Sequence, residues 1–139
     1  MENFQNGAEQ AQEKAAEKQL VFTDVTVPAD VAHDIEEKVA ELKRTRNLKR
    51  VFVIVVEGDT DAGEKPLYIG YFERPNLMHF SQYMTFVQKD ITQANKMLAR
   101  NTFITGDREL VDDDDLFLYG AMQQLTKLIE SRNADMAKR

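Results

Sequence analysis

The chain lacks several residue types that small proteins often use. It contains no cysteine and no tryptophan, and only three prolines and six glycines among 139 residues. Without cysteine, disulfide bonds, cysteine-based zinc clusters and a thiol nucleophile are excluded. The first residues lack the apolar core of a secretion signal, and the longest apolar run is too short to span a bilayer. We therefore expect a protein of a reducing cytoplasm, without a membrane segment.

An excess of positive charge is also missing. The chain has 18 Lys and Arg against 24 Asp and Glu, which gives a net charge of −6. This balance argues against general nucleic-acid binding, which requires a basic face. The hydrophobic fraction of 42% is sufficient for a core, and the length fits one domain with appendages.

Two regions differ in composition. Residues 1–19 are rich in Gln, Glu, Ala and Lys, and have no apolar stripe that would dock a helix. They are typical of a frayed or disordered tail, or alternatively of an arm that orders on a partner. Residues 20–139 are expected to form a single α+β domain.

The strongest secondary-structure signal is the run Val51-Phe52-Val53-Ile54-Val55-Val56. An unbroken run of β-formers predicts a strand that is covered on both faces and lies in the middle of a sheet. We expect residues 50–57 to pair with residues 67–73 as an antiparallel hairpin with a long exposed tip. Further strands are predicted near 20–27, where an extended arm is the alternative, and near 102–105.

Four helices are predicted to pack over this small, mainly antiparallel sheet, near residues 28–46, 75–88, 90–101 and 113–132. Pro75 is expected to open the second helix at its first turn. That helix is apolar around most of its circumference. One face is predicted to carry Leu77, Phe80, Met84 and Val87, and Met78, Tyr83 and Phe86 occupy much of the rest. Such a helix is expected to be either central to the domain or part of an interface, and Met78, Tyr83 and Phe86 are the candidate interaction residues. In the third helix, Ile91, Ala94, Met97 and Leu98 are expected to face inward.

An acidic cluster comprises Asp107, Glu109 and the run Asp112, Asp113, Asp114 and Asp115. Carboxylates at a helix start cap free N–H groups, which explains one or two of the aspartates. The alternative is a divalent-cation site, although consecutive aspartates point in different directions. The loop from Glu57 to Glu64 also alternates carboxylates, but it fails the register of an EF-hand, so we interpret it as a solvated hairpin tip.

A basic patch places five positive charges within eight residues: Lys43, Arg44, Arg46, Lys49 and Arg50. A helix C-terminus favours about half of these charges. The remainder indicate a docking patch for an acidic protein surface. Copies of the chain could associate head to tail, with the basic patch of one copy meeting the acidic cluster of the next.

The stretch from Arg50 to about Ser131 resembles the small assembly chaperones and related structural proteins of tailed bacteriophages. The likeness lies in the order of its features. Two strands reach Tyr71-Phe72-Glu73-Arg74-Pro75, a helix carries Ala94 and Leu98, and the segment from Asn101 to Leu110 leads to an acidic start of a last helix with Ala121, Leu125, Leu128 and Ile129. Residues 1–49 depart from the resemblance and look like an added arm.

This resemblance implies a non-enzymatic virion component or tail assembly chaperone, with other phage structural proteins as partners. It implies action in the cytoplasm of the bacterial host during assembly, or in the virion. The sequence contains no phosphate loop, nucleophile elbow or His-Glu-x-x-His motif. We therefore assign no catalytic residue, metal, cofactor or small-molecule substrate. Two alternatives remain: a divalent-metal-dependent hydrolase using Asp112–Asp115 with Asp59 or Asp61, and a regulatory adaptor that binds a host protein through the basic patch.

Overall fold

The computed structural model describes residues 26–126 and residue 129 of the chain. Its elements are, in order, α1 (Ala29–Thr45), β1 (Val51–Glu57), β2 (Leu67–Glu73), α2 (Leu77–Val87), α3 (Ile91–Thr102), β3 (Phe103–Gly106) and α4 (Glu109–Asp112). A last helix, α5, begins at Asp114–Leu116, passes through a π-helical turn at Phe117–Ala121 and continues through residues 122–126. The α+β class and the four predicted helices are confirmed, and α4 is an additional short helix.

The three described strands form an antiparallel sheet in the order β1-β2-β3. The register of β1 and β2 runs from Val51 opposite Glu73 to Glu57 opposite Leu67, so the predicted hairpin is confirmed. β3 extends the sheet from the other side of β2, with Gly106 opposite Gly70. The predicted strand near 102–105 is therefore present, one residue later.

Both faces of β1 are buried, as the unbroken apolar run predicts. Phe52, Ile54 and Val56 belong to a core cluster with residues of α4 and α5, such as Leu110 and Phe117. The alternate residues Val51, Val53 and Val55 join a second cluster, which α1 covers through Ile35, Val39 and Leu42. The sheet thus lies between α1 on one face and α4 and α5 on the other.

The predicted position of β1 in the middle of the sheet is wrong within the part of the chain that the structure describes. β2 is the central strand, and β1 has a strand neighbour on one side only. Burial of both faces requires a layer above and a layer below the sheet, and it does not require a strand on each side. Next to Val55, α5 supplies a polar contact: the Gln124 amide accepts from the Val55 N–H at 3.3 Å and donates to the Val55 carbonyl at 2.6 Å.

The predicted arm and the first predicted strand fall largely outside the described residues. Residues 1–25 are not described, so the arm at 1–19 and most of the strand at 20–27 remain predictions. Thr26 and Val27 are not in a strand, and Val27 packs against the cluster under α1. Residues 127, 128 and 130–139 also lie outside the described part, so the predicted end of the last helix stays a prediction.

The pair α2 and α3 forms a smaller unit beside the sheet, joined through Tyr83, Ala94 and Leu98. Asn76 caps α2 by accepting from the His79 N–H at 2.8 Å. Asp90 caps α3 in the same way. Pro75, expected in the first turn of α2, precedes this cap, because the Asn76 side chain satisfies a free N–H group and thereby sets the helix start.

Candidate interaction surfaces

The predicted basic patch lies at the turn from α1 to β1. We call it the basic turn, and all five of its side chains are exposed: Lys43, Arg44, Arg46, Lys49 and Arg50. The backbone of this turn is well defined. The N–H of Leu48 donates to the carbonyl of Lys43 at 3.1 Å, and Asn47 between them adopts a φ of 54°. This left-handed ending is a common helix C-cap, so the charges are carried on a fixed backbone.

Most cations of the basic turn form no ion pair with the other described residues. Among the described residues, no ion pair involves Lys43, Arg44, Arg46 or Lys49. Arg50 differs, because its guanidinium lies 5.4 Å above the Phe52 ring. The negative end of α1 favours the cations in its last turn, but it offsets only about half a charge. The basic turn is therefore a site of unbalanced positive charge on an acidic protein.

The predicted acidic cluster is, by contrast, largely balanced within the chain. Asp107 accepts from Lys65 at 2.5 Å and from the Ile69 backbone N–H at 2.8 Å. Asp112 accepts from Arg108 at 3.1 Å and lies 3.6 Å from Arg100. The hydrogen bond with Asp107 raises the pKa of the Lys65 ammonium. These contacts join the segment before α5 to the hairpin and to α3.

The other aspartates of the run have different tasks. Asp113 is the N-cap of α5 and accepts from the N–H groups of Asp115 and Leu116 at 3.0 and 3.1 Å. Asp114 pairs with Lys96, and the hydrogen bond from that ammonium lowers the pKa of the Asp114 carboxyl. The capping prediction is thus confirmed for one aspartate. Within the described ranges, no group of three or more acidic or histidine side chains is placed to hold a metal ion.

The hairpin tip forms a wall of a surface cleft. Asp59 accepts from the N–H groups of Asp61 and Ala62 and fixes a single 3-10 turn, while Glu64 accepts from the Asp59 N–H at 2.8 Å. Between this tip and the start of α5 lies a cleft of about 610 Å³. We call it the acidic cleft; its lining includes Glu57, Asp59, Glu64, Asp115, Leu116 and Tyr119.

The acidic cleft exists because α5 approaches β1 closely at the π-helical turn. A Cβ atom added at Gly120 would lie 2.6 Å from Cγ1 of Val56, so only glycine allows this contact. Tyr119, the preceding residue, projects outward with 78% of its surface exposed. Among the described residues, no ion pair involves Glu57, Asp59, Glu64 or Asp115. The cleft therefore combines unbalanced carboxylates with an exposed aromatic ring.

An apolar surface lies on α2 and the start of α3. We call it the apolar helix surface, and its members are large side chains with 46–64% exposure: Leu77, Met78, Met84, Phe86 and Ile91. Met78 and Phe86 are where the interface prediction requires them. Tyr83 is not, because its side chain is 8% exposed and packs against Ala94 and Leu98 between the two helices. Its inclusion in an exposed interface is corrected accordingly.

Sequence reasoning missed three members of the apolar helix surface. Ile91 was expected to face inward, and it is 60% exposed. Leu77 and Met84 were not among the candidate interaction residues, and they are 64% and 49% exposed. In a helix that is apolar on nearly every side, periodicity does not identify the buried stripe, and the packing of Phe80 and Tyr83 decides the orientation. The acidic cleft was missed as well, because its two walls are distant in sequence. The exposed Tyr119 beside Gly120 is the one local signal.

Comparison of the chain with family models, with curated proteins and with solved structures found no match. The phage resemblance therefore stays a prediction. Among the described residues, no helix is both long and apolar enough to cross a membrane.

Proposed function

We propose that this chain works by binding other polypeptides, as a structural or assembly protein of a tailed bacteriophage. The observation that carries the proposal is the apolar helix surface. Five large apolar side chains are exposed within the stretch 77–91 of α2 and the start of α3, and a concentration of exposed apolar surface of this kind marks a contact site for another protein. Met and Phe, which supply three of the five members, are enriched in the cores of such contacts.

The resemblance of residues 50–131 to tail assembly chaperones supplies the class of partner. The partners would be tail or capsid proteins, and the contact would form in the cytoplasm of the bacterial host during assembly. In this proposal the chain performs no reaction, and it contributes a shaped surface.

Substitution of exposed apolar side chains tests the proposal. The variant Met78→Ser/Phe86→Ser removes two members of the apolar helix surface, and Gln82→Ser/Thr85→Ser changes two exposed polar residues of the same helix. All four positions are exposed, so we expect the melting temperature to be nearly unchanged in both variants. Calorimetric titration against purified tail and capsid proteins of the same phage should show about tenfold or greater weakening for the apolar variant alone. Equal binding by both variants, or no binding by the wild type, would contradict the proposal.

The hydrolase alternative has less support. Asp113 and Asp59 use their carboxylates to cap turns, and Asp114 pairs with Lys96. A cation bound by these groups would have to displace those contacts. Thermal denaturation with Mg²⁺, Mn²⁺ and Ca²⁺ tests this alternative directly, and we expect no change in the melting temperature.

A further inference from the structure

We propose that copies of this chain associate head to tail, with the basic turn of one copy seated in the acidic cleft of the next. The proposal concerns surfaces other than the apolar helix surface. It therefore goes beyond the proposed function and is tested separately from it.

The two surfaces lie at opposite ends of one strand. Arg50, the last residue of the basic turn, directly precedes β1, and Glu57 of the acidic cleft is the final residue of β1. Seven residues of extended chain span about 20 Å. The basic turn of a molecule therefore cannot reach its own acidic cleft. A second copy of the chain is the partner that we propose for each surface.

Charge complementarity identifies that second molecule. The acidic surface predicted from the sequence includes Asp107, Asp112 and Asp114. In the structure these carboxylates form ion pairs with Lys65, Arg108 and Lys96, respectively. Among the described residues, the carboxylates of the cleft at one end of β1 form no ion pair, and neither do Lys43, Arg44, Arg46 and Lys49 at the other end. The described part of the chain thus presents two surfaces of opposite sign that no ion pair within it compensates.

The chemistry of the cleft suits an arginine in particular. Carboxylates accept the forked N–H groups of a guanidinium, and an aromatic face attracts the same cation. Glu57, Asp115 and Tyr119 supply both features around one opening. The basic turn offers Arg44 and Arg46, both exposed on a backbone that the helix C-cap fixes.

Such a contact joins different surfaces of identical molecules and is heterologous. Unless the rotation between neighbours closes a ring, repetition of the contact produces a linear array. Because the paired groups are exposed charges, the association should weaken strongly as salt screens them.

Sedimentation analysis of neutralised variants tests the proposal. The turn variant is Arg44→Gln/Arg46→Gln/Lys49→Gln, and the cleft variant is Glu57→Gln/Glu64→Gln/Asp115→Asn. The control variant, Asp30→Asn/Asp34→Asn/Glu37→Gln, changes the net charge as the cleft variant does, but its substitutions lie on α1.

At an ionic strength of about 0.01 M, where the screening length is about 30 Å, the mass of the wild type and of the control variant should rise with concentration. At about 1 M, where that length is about 3 Å, both should be monomers. The turn variant and the cleft variant should each be monomers at both ionic strengths. An equimolar mixture of these two variants should give a one-to-one complex and nothing larger, since each molecule retains one working surface.

Several results would overturn the proposal. One is a wild type that remains monomeric at low ionic strength. Another is self-association that either neutralised variant retains, or a mixture that fails to restore the one-to-one complex. If the wild type is monomeric and its basic turn binds a labelled oligonucleotide or a poly-glutamate peptide, the occupant is a polyanion and a second copy is ruled out. Loss of binding by the apolar variant above would leave this proposal untouched.

Discussion

The contact between Gln124 and Val55 provides a sharp test of how α5 is held to the sheet. The Gln124 amide makes two hydrogen bonds to a backbone position that is fully buried, at 3.3 and 2.6 Å. Methionine has a similar length and shape but makes neither bond. A buried backbone group that loses its hydrogen-bond partner costs about 1–3 kcal/mol, so the loss of both bonds in Gln124→Met should lower the free energy of unfolding by about 2 kcal/mol or more.

The neighbouring Gln123 offers a matched control, because it has the same side chain in an exposed position of the same helix. Gln123→Met should change the free energy of unfolding by less than about 0.5 kcal/mol. For a domain of this size, we expect the melting temperature of Gln124→Met to fall by about 4–8 °C relative to that control. Hydrogen exchange should show a faster rate at the Val55 amide in Gln124→Met alone. Equal melting temperatures and equal exchange rates for the two variants would refute the reasoning.

Three further predictions concern the packing and the charges of the same region. Gly120→Ala places a methyl group 2.6 Å from a Val56 methyl and should lower the free energy of unfolding, measured by urea denaturation, by about 1–3 kcal/mol. In a Val56→Ala background this loss should largely disappear, and an unchanged loss would refute the clash. Asp113→Ala removes the N-cap of α5 and should lower the free energy of unfolding by about 1 kcal/mol, whereas Asp115→Ala should lower it much less. Equal losses in the two variants would contradict the capping role of Asp113. Burial raises the pKa of Tyr71 to about 12, which favours the neutral hydroxyl in the folded state. The resulting stability, at most about 3 kcal/mol, is present below pH 10 or so and is lost as the pH rises through the folded pKa. Denaturation midpoints of Tyr71→Phe should therefore fall less than those of the wild type over that interval.

The features that were predicted correctly are those that short stretches of sequence specify. The run from Val51 to Val56 is a continuous series of β-forming residues, and it forms β1 with both faces covered. In α1, Ile35, Val39 and Leu42 recur at helical spacing and all are buried. Here the local preference and the tertiary packing agree, so a single sequence was sufficient.

The features that were missed depend on contacts between distant residues. The pairing of Asp114 with Lys96 joins residues 18 positions apart, and the pairing of Asp107 with Lys65 joins residues 42 apart. No local pattern distinguishes such a paired carboxylate from a free one. The unbalanced charge of the acidic cleft could be recognised only after these pairs had been located.

The exposure of the candidate interaction residues was predicted correctly for some and incorrectly for others, for the same reason. Met78 and Phe86 are exposed, and all five cations of the basic turn are exposed. Tyr83 was assigned to the wrong side of α2, because its neighbours in sequence are equally apolar and only α3 reveals which side is covered.

The dependence of β1 on α5 has a consequence for the order in which the chain emerges from the ribosome. The strand is complete well before Gln124, which lies 69 residues beyond Val55. Until that residue is synthesised, the nascent chain carries six adjacent apolar β-formers that α5 has not yet shielded. Such a segment is a template for stacking with identical segments of other chains. A chain cut before α5 should therefore accumulate as insoluble fibrous material, although it retains every strand of the described sheet.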